Sequence, residues 1–148
     1  MKILHLYSDW KWTGPAEPAL NLCVELKKRG YDITFVCGKA MDDYPFPHDS
    51  ESVEKSAYER GFIPVTKFCL SKHFSFFKHI YDIKKLSTFM NDGAYDIVHV
   101  HRNQDHLVGG IAARLAKRDL PIVRTSHDGV ALKRSCEIES VCPNLLIG

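Results

Sequence analysis

Two short runs of β-branched residues, each ending abruptly in histidine and polar side chains, constrain this chain more than any other feature. The first is Tyr95-Asp96-Ile97-Val98-His99-Val100-His101-Arg102-Asn103-Gln104-Asp105, and the second is Pro121-Ile122-Val123-Arg124-Thr125-Ser126-His127-Asp128-Gly129. A continuous apolar run of this length suits a strand buried on both faces, as in a parallel sheet. The polar ending then falls at the strand's carboxyl end, where open α/β sheets bind their ligands. Two such strands separated by one helix place His101 and His127 on the same rim, and function is expected there.

The remaining chain fits around those strands. Lys2 to Tyr7 reads as a first buried strand. The loop Ser8 to Pro18 leads into a helix whose prolines suit a first turn, where a missing N–H has no partner to lose. Ala19, Leu22, Cys23 and Leu26 recur at helical spacing, and Gly30 supplies the stop. Asp32 to Cys37 is the second strand. A long loop follows, then a short helix capped by Asp49 or Ser50, carrying Val53 and Ala57 and ending at Gly61. Ile63 to Phe68 reads as a weaker third strand. Ser75 opens a longer helix bearing Phe76, Ile80, Ile83, Leu86 and Met90, closed by Asn91-Asp92-Gly93. Asp96 to His101 and Pro121 to Ser126 are the fourth and fifth strands. Between them Asp105 caps a helix carrying Val108, Ile111, Ala112 and Leu115. After Gly129 the signal weakens to a helix start near Lys133–Glu137 and an apolar end at Leu145-Leu146-Ile147. Strands alternating with helices this regularly predict one α/β domain over residues 1–148, a doubly wound Rossmann-like parallel sheet with helices on both faces.

Composition narrows the function. Twenty basic against eighteen acidic residues leave a net charge of +2. That balance, with no basic stripe interleaved with aromatics, gives no nucleic-acid footprint. No apolar run approaches the ~18 residues of a spanning helix, and the amino terminus lacks the apolar core of a signal peptide. Five cysteines, an odd number without CxxC spacing, fit a reducing compartment. A cytoplasmic protein is expected.

Several residues carry candidate chemistry. Gly14 follows a predicted strand and precedes a helix, a setting in which backbone N–H groups approach a phosphate; a tight turn is the equal alternative. The loop is not GxGxxG, so no dinucleotide cofactor is indicated. His99 and His101 share one strand face, an HxH pair that invites a metal reading with His106, His127 or Asp128. No third ligand stands at fixed spacing, so no metal is assigned. His99 reads instead as buried and hydrogen-bonded, and His101 as a rim residue. Lys11 and Arg102 are cations at the ligand edge, suited to a phosphate or carboxylate. Trp10 and Trp12 suit either stacking on a ligand or packing on the first helix. Arg124, inside a buried strand, needs a partner such as Glu17 or Asp128. Cys136 and Cys142 read as ordinary thiols.

In this order and at these separations, three stretches resemble the amino-terminal half of a family-4 glycosyltransferase, the retaining group with the two-domain GT-B fold. They are the opening strand with Trp12-Thr13-Gly14-Pro15-Ala16-Glu17 and the helix running into Leu26-Lys27-Lys28-Arg29-Gly30-Tyr31-Asp32-Ile33-Thr34-Phe35-Val36; then Tyr95 to His101, similar to the family's D-V-V-H-x-H; and Val123 to Asp128, similar to a strand ending in T-x-H-D. Pro15 departs from the pattern: it stands where the family usually has a second glycine, so the loop is stiffer and donates one fewer N–H.

The resemblance implies the acceptor-side domain of an enzyme that moves a sugar from a nucleotide-diphosphate sugar to an acceptor hydroxyl with retention. Gly14 would brush the donor. His127 would be catalytic, since a histidine exchanges protons near neutral pH. His101, Arg102, Asp128 and Lys11 would bind the acceptor, with Asp128 also suited to orienting the imidazole or capping a turn. The acceptor would be a sugar or a lipid-linked sugar. A carboxyl-terminal donor domain outside this chain is implied, so the isolated domain is expected to be inactive. Membrane-surface association of the full enzyme and a homodimer are further partner readings. Two rivals stand beside this one: a lone Rossmann-like module binding a phosphorylated ligand or partner chain, and an HxH metal-dependent hydrolase.

Overall fold

Five parallel strands lie in the order β2-β1-β3-β4-β5, in a computed structural model that describes residues 1–39, 51–70, 76–117 and 120–126 and the backbone of 145–147. The strands are β1 (Lys2–Tyr7), β2 (Asp32–Cys37), β3 (Ile97–Val100), β4 (Ile122–Arg124) and β5 (Leu145–Ile147). Register sets His5 beside His99 and Val100 beside Arg124. The helices are α1 (Ala16–Lys28), α2 (Val53–Glu59), α3 (Phe76–Gly93) and α4 (Asn103–Leu115). The doubly wound architecture is the one the alternation of elements predicts.

Strand periodicity sorts the side chains into two cores. Leu4, Leu6, Val98 and Val100 pack with Leu86 and Met90 of α3 and Val108 and Ala112 of α4. The opposite face places Tyr7, Phe35 and Cys37 against Ala16, Ala19, Leu20 and Cys23 of α1 and Val53 and Ala57 of α2. Each fully buried Leu or Phe stabilises this arrangement by about 1.5–3 kcal/mol. α4 sits close to the sheet because position 109 is glycine: a Cβ there would lie 2.7 Å from Leu6 Cδ1. Gly30, at φ +87°, ends α1 as the sequence predicts.

Several expectations need correction. The segment 63–68 forms one parallel bridge, Val65 to Val36, rather than a strand. Pro64 has no N–H for a ladder, and the neighbouring Ile63 is 83% exposed. α2 is capped by Ser52, whose hydroxyl accepts from the Lys55 N–H at 3.0 Å, and not by Asp49 or Ser50, which lie outside the described residues. In α1 the buried positions are 16, 19, 20 and 23, with Leu22 and Leu26 only half-buried at the flank. In α3 Phe76 and Ile80 face solvent, while His79 and Asp82 turn inward. The Asp82 carboxylate accepts from the N–H groups of Cys69 (3.0 Å) and Leu70 (2.8 Å), holding Leu70 in a left-handed conformation at φ +34°. The helix start near residues 133–137 lies outside the described residues, and so does Ser75.

The chain leaves β1 through α1 to β2 on one side. It then returns through α2 and α3 to β3 on the other. Strand order therefore reverses between β1 and β3, and the loops following these two strands are joined at their carboxyl ends. Such a reversal is where open α/β sheets form a ligand crevice.

Candidate functional site at the β1–β3 carboxyl edge

The carboxyl edge at this reversal is built by two loops tied together by hydrogen bonds. β1 ends at Tyr7 and the chain turns through Ser8 and Asp9, both buried. One Asp9 oxygen accepts from the N–H groups of Trp10 (2.9 Å) and Lys11 (3.2 Å), which shapes the turn. Its other oxygen takes the Arg102 guanidinium at 3.0 Å. Arg102 itself follows β3, is a quarter exposed, and lies over the Tyr7 ring at 5.7 Å. The Tyr7 hydroxyl shares a hydrogen bond with Thr13 at 3.0 Å, so the Gly14 loop is fastened to the same edge.

Beneath this layer lies Asp105, fully buried in the first turn of α4. It does not cap its helix from outside, as the sequence suggests; α4 already begins at Asn103. Its carboxylate accepts from the Ser8 N–H at 2.5 Å and the His101 N–H at 3.3 Å, joining the backbones just past β1 and β3. Burial pushes this carboxyl up to about 7, against the pull of those two N–H donors.

His101 stands at the carboxyl end of β3 as predicted, yet its imidazole is buried and not on the open rim. Its Nε2 meets His5 Nδ1 at 3.1 Å, and the rings of His5, His99 and His101 stack with centroids 4.4–5.4 Å apart. His99 Nε2 also bonds the Thr125 hydroxyl at 2.8 Å. Burial, with His99 adding a smaller push, lowers the His5 pKa to about 3, so the imidazole is neutral.

These three histidines are the only metal-ligand cluster among the described residues, with ring nitrogens within 4.8 Å of one another. A tetrahedral ion with bonds near 2.0–2.1 Å needs nitrogens about 3.3 Å apart whose lone pairs converge. Here His5 Nδ1 and His101 Nε2 already meet in a hydrogen bond at 3.1 Å, and the ring planes are inclined by only 17–36°. The arrangement is that of a hydrogen-bonded stack. His106, a suggested further ligand, lies across the sheet beside Arg124, at 3.4 Å. Burial, then Arg124, pulls the His106 pKa down to about 4.

The other sequence candidates are placed as follows. Lys11 is exposed, with its ammonium 5.2 Å from the centre of the Trp10 ring. Gly14 is exposed, with open space where a Cβ would stand. The helix end it introduces is a sparse anion site, because the Ala16 N–H is bonded to Thr13 O at 2.8 Å and Pro18 has none. Trp12 packs half-buried beside the α1–α2 core, with the Arg60 guanidinium over its ring. Arg124 bonds Asn103 and His106 of α4, rather than Glu17, which sits exposed on α1 across the sheet. His127 and Asp128 lie outside the described residues.

Asp9, Asp105 and His5 were missed by sequence reasoning. Asp9 left one signal, an acid directly after a buried strand facing a predicted cation. His5 meets His101 96 residues away, and Asp105 joins the His101 N–H to that of Ser8, 97 residues away, where local pattern is silent.

Residues 13–139 match the sequence profile described as Glycosyltransferase Family 4. No curated protein matches the sequence. Among solved structures the chain is similar to Acinetobacter baumannii MurG, at 16% identity and a TM-score of 0.66, covering 99% of this chain and 41% of that one. It is similar also to the apo lipopolysaccharide outer core galactosyltransferase WaaB, at 15% identity and 0.67, covering 98% and 38%. A third is S. aureus MnaA solved with UDP, at 19% identity and 0.53, covering 84% and 28%. The chain thus spans less than half the length of each.

Proposed function

Since the chain belongs to Glycosyltransferase Family 4, we propose that it is the acceptor-side half of an enzyme that moves a sugar from a nucleotide-diphosphate sugar to an acceptor hydroxyl with retention. The observation that carries this reading is the crevice at the strand-order reversal. There the Gly14 loop and Arg102 meet through Asp9, Tyr7 and Thr13. A second domain, absent from this chain, closes the crevice from above and grips the diphosphate. The relatives of known structure are more than twice as long, which supports that division.

In this reading the acceptor lies along the carboxyl edge. Arg102, oriented by Asp9, and Lys11 bind its charged groups, while Asp128 holds a hydroxyl. His101 serves from below, fixing the β3 end through its backbone and the histidine stack. Gly14 approaches the donor, and Pro15 stiffens that approach. His127, which follows β4 in the sequence, exchanges the proton of the attacking hydroxyl. The diphosphate leaves with its charge stabilised electrostatically and with no cofactor. The chain by itself is inactive, because the donor-facing wall is missing.

The test uses the intact enzyme that contains this domain. Incubated with a panel of nucleotide-diphosphate sugars and a sugar or lipid-linked acceptor, it is expected to release nucleoside diphosphate in step with product. Proton NMR should show the donor's anomeric configuration retained. Inverted product, or no transfer from any donor, would overturn the reading.

A further inference from the structure

Asp105 and Gly109 stand four positions apart on α4, one helical turn along the same face. Both address the place where β1 and β3 stop pairing. The ladder between these strands ends at Leu6 and Val100. Gly109 makes room for those same two side chains, since a Cβ there would stand 2.7 Å from Leu6 Cδ1 and 3.3 Å from Val100 Cγ1. One turn earlier, the helix meets the backbone just past the ladder. There one oxygen of Asp105 accepts from the Ser8 N–H at 2.5 Å and the other from the His101 N–H at 3.3 Å. A helix side chain thus receives N–H groups that a continuing ladder would give to backbone carbonyls.

The two sides of this clasp are not equally fixed. Past β1, the turn is also held from the end of β2. The Gly38 N–H donates to the carbonyls of Tyr7 (3.1 Å) and Asp9 (3.2 Å), and a Cβ at position 38 would stand 3.1–3.3 Å from the Asp9 backbone. Past β3, Arg102 is the N-cap of α4, and its carbonyl accepts from the His106 N–H at 3.0 Å. Arg102 therefore travels with the helix. The Asp105–Ser8 bond and the Arg102–Asp9 pair tie this helix start to the β1 turn. Ser8 directly precedes Asp9 and His101 directly precedes Arg102, so the buried clasp sets the spacing of the ion pair above it.

We propose that Asp105 is a positioning residue for acceptor binding: seated by Gly109, its carboxylate holds the start of α4 against the β1 turn and so fixes the Arg102 guanidinium at the carboxyl edge. This role rests on the reading of Arg102 as an acceptor ligand. Asp105 is fully buried and acts only through the two loops. Loss of the clasp frees the helix side. The β1 turn stays where Gly38 holds it, and the Gly14 loop stays with it through the Tyr7–Thr13 bond. Acceptor binding suffers and donor binding does not.

Asp105→Asn tests this, since an amide offers one acceptor oxygen where a carboxylate offers two. The 148-residue chain is studied at pH 8, above the value of about 7 to which burial pushes this carboxyl. Hydrogen exchange by NMR should show the Ser8 or the His101 amide exchanging at least about tenfold faster, while Leu4 and Leu6 keep their rates. In the intact enzyme the KM for the acceptor should rise about tenfold, with kcat and the KM for the nucleotide sugar held within about twofold. Added to Arg102→Ala, Asp105→Asn should raise the acceptor KM no further, because it acts through Arg102. Unchanged exchange at both amides, a loss confined to kcat or to the nucleotide-sugar KM, or additive effects in the double variant would each overturn the proposal. Those outcomes leave sugar transfer by the parent enzyme intact, whereas a parent enzyme that transfers no sugar overturns the transferase reading and this role together, so the two failures are distinguishable.

Discussion

Asp9 and Arg102, ninety-three positions apart in the chain, meet at 3.0 Å across the mouth between β1 and β3. The acid is nearly buried and the guanidinium a quarter exposed, so the pair presents a fixed cation at the rim. Asp105 repeats the connection one layer lower, through backbone N–H groups of both loops. The crevice edge is therefore a cross-linked structure and not two independent loops.

Removing the cation leaves a buried carboxylate held only by the Trp10 and Lys11 N–H groups. Arg102→Ala should lower unfolding stability by about 2 kcal/mol, below the 3–5 kcal/mol of fully buried pairs because the guanidinium is partly solvated. Asp9→Asn should cost less, since its oxygen still accepts both N–H bonds. Urea denaturation of the two variants measures the difference.

Asp105 makes stability depend on pH in a defined direction. Its folded value of about 7 lies above the ordinary 3.8, so the folded state binds the proton more tightly. That contribution is complete below about pH 4 and is lost as pH rises through 7, on the order of 4 kcal/mol at most. The stability deficit of Asp105→Asn relative to the parent chain should therefore shrink between pH 5 and pH 8, by denaturant titration at each pH. A deficit that grows would contradict the assignment.

His5 and His106 act in the opposite sense. Their folded values of about 3 and about 4 lie below the ordinary 6.5. Stability from keeping them neutral is present above pH 6.5 and is lost as pH falls toward 4. The melting temperature of His5→Phe should vary less across that range than that of the parent chain. Scanning calorimetry from pH 7 to pH 4 reads this directly.

Position 109 tests the close seating of α4. A Cβ would approach Leu6 Cδ1 at 2.7 Å and Val100 Cγ1 at 3.3 Å in a filled core. Gly109→Val should destabilise by about 1–3 kcal/mol through overpacking. Thermal unfolding provides the measurement.

The sheet was legible because its strands are apolar runs whose lengths and turn signals report burial directly. Ile63 to Phe68 failed as a strand because one proline outweighs its β-branched neighbours. In α3 the apolar spacing was genuine, but Phe76 and Ile80 lie on the outer face, and Asp82 turns inward to hold residues 69 and 70. Periodicity cannot see such a trade between a polar tether and an exposed ring. Arg102 was legible at the edge after β3 because strand ends carry polar residues. His5 and Asp105 were not, since each links segments some 96 residues apart in sequence, and such a pairing exists only once the sheet has assembled.

The central claim rests on His127 as the group that moves the acceptor proton. Steady-state kinetics of the intact enzyme with His127→Ala test it most directly. The account predicts kcat lower by about 100-fold or more, with the KM for the nucleotide sugar nearly unchanged. An unaltered kcat would contradict it.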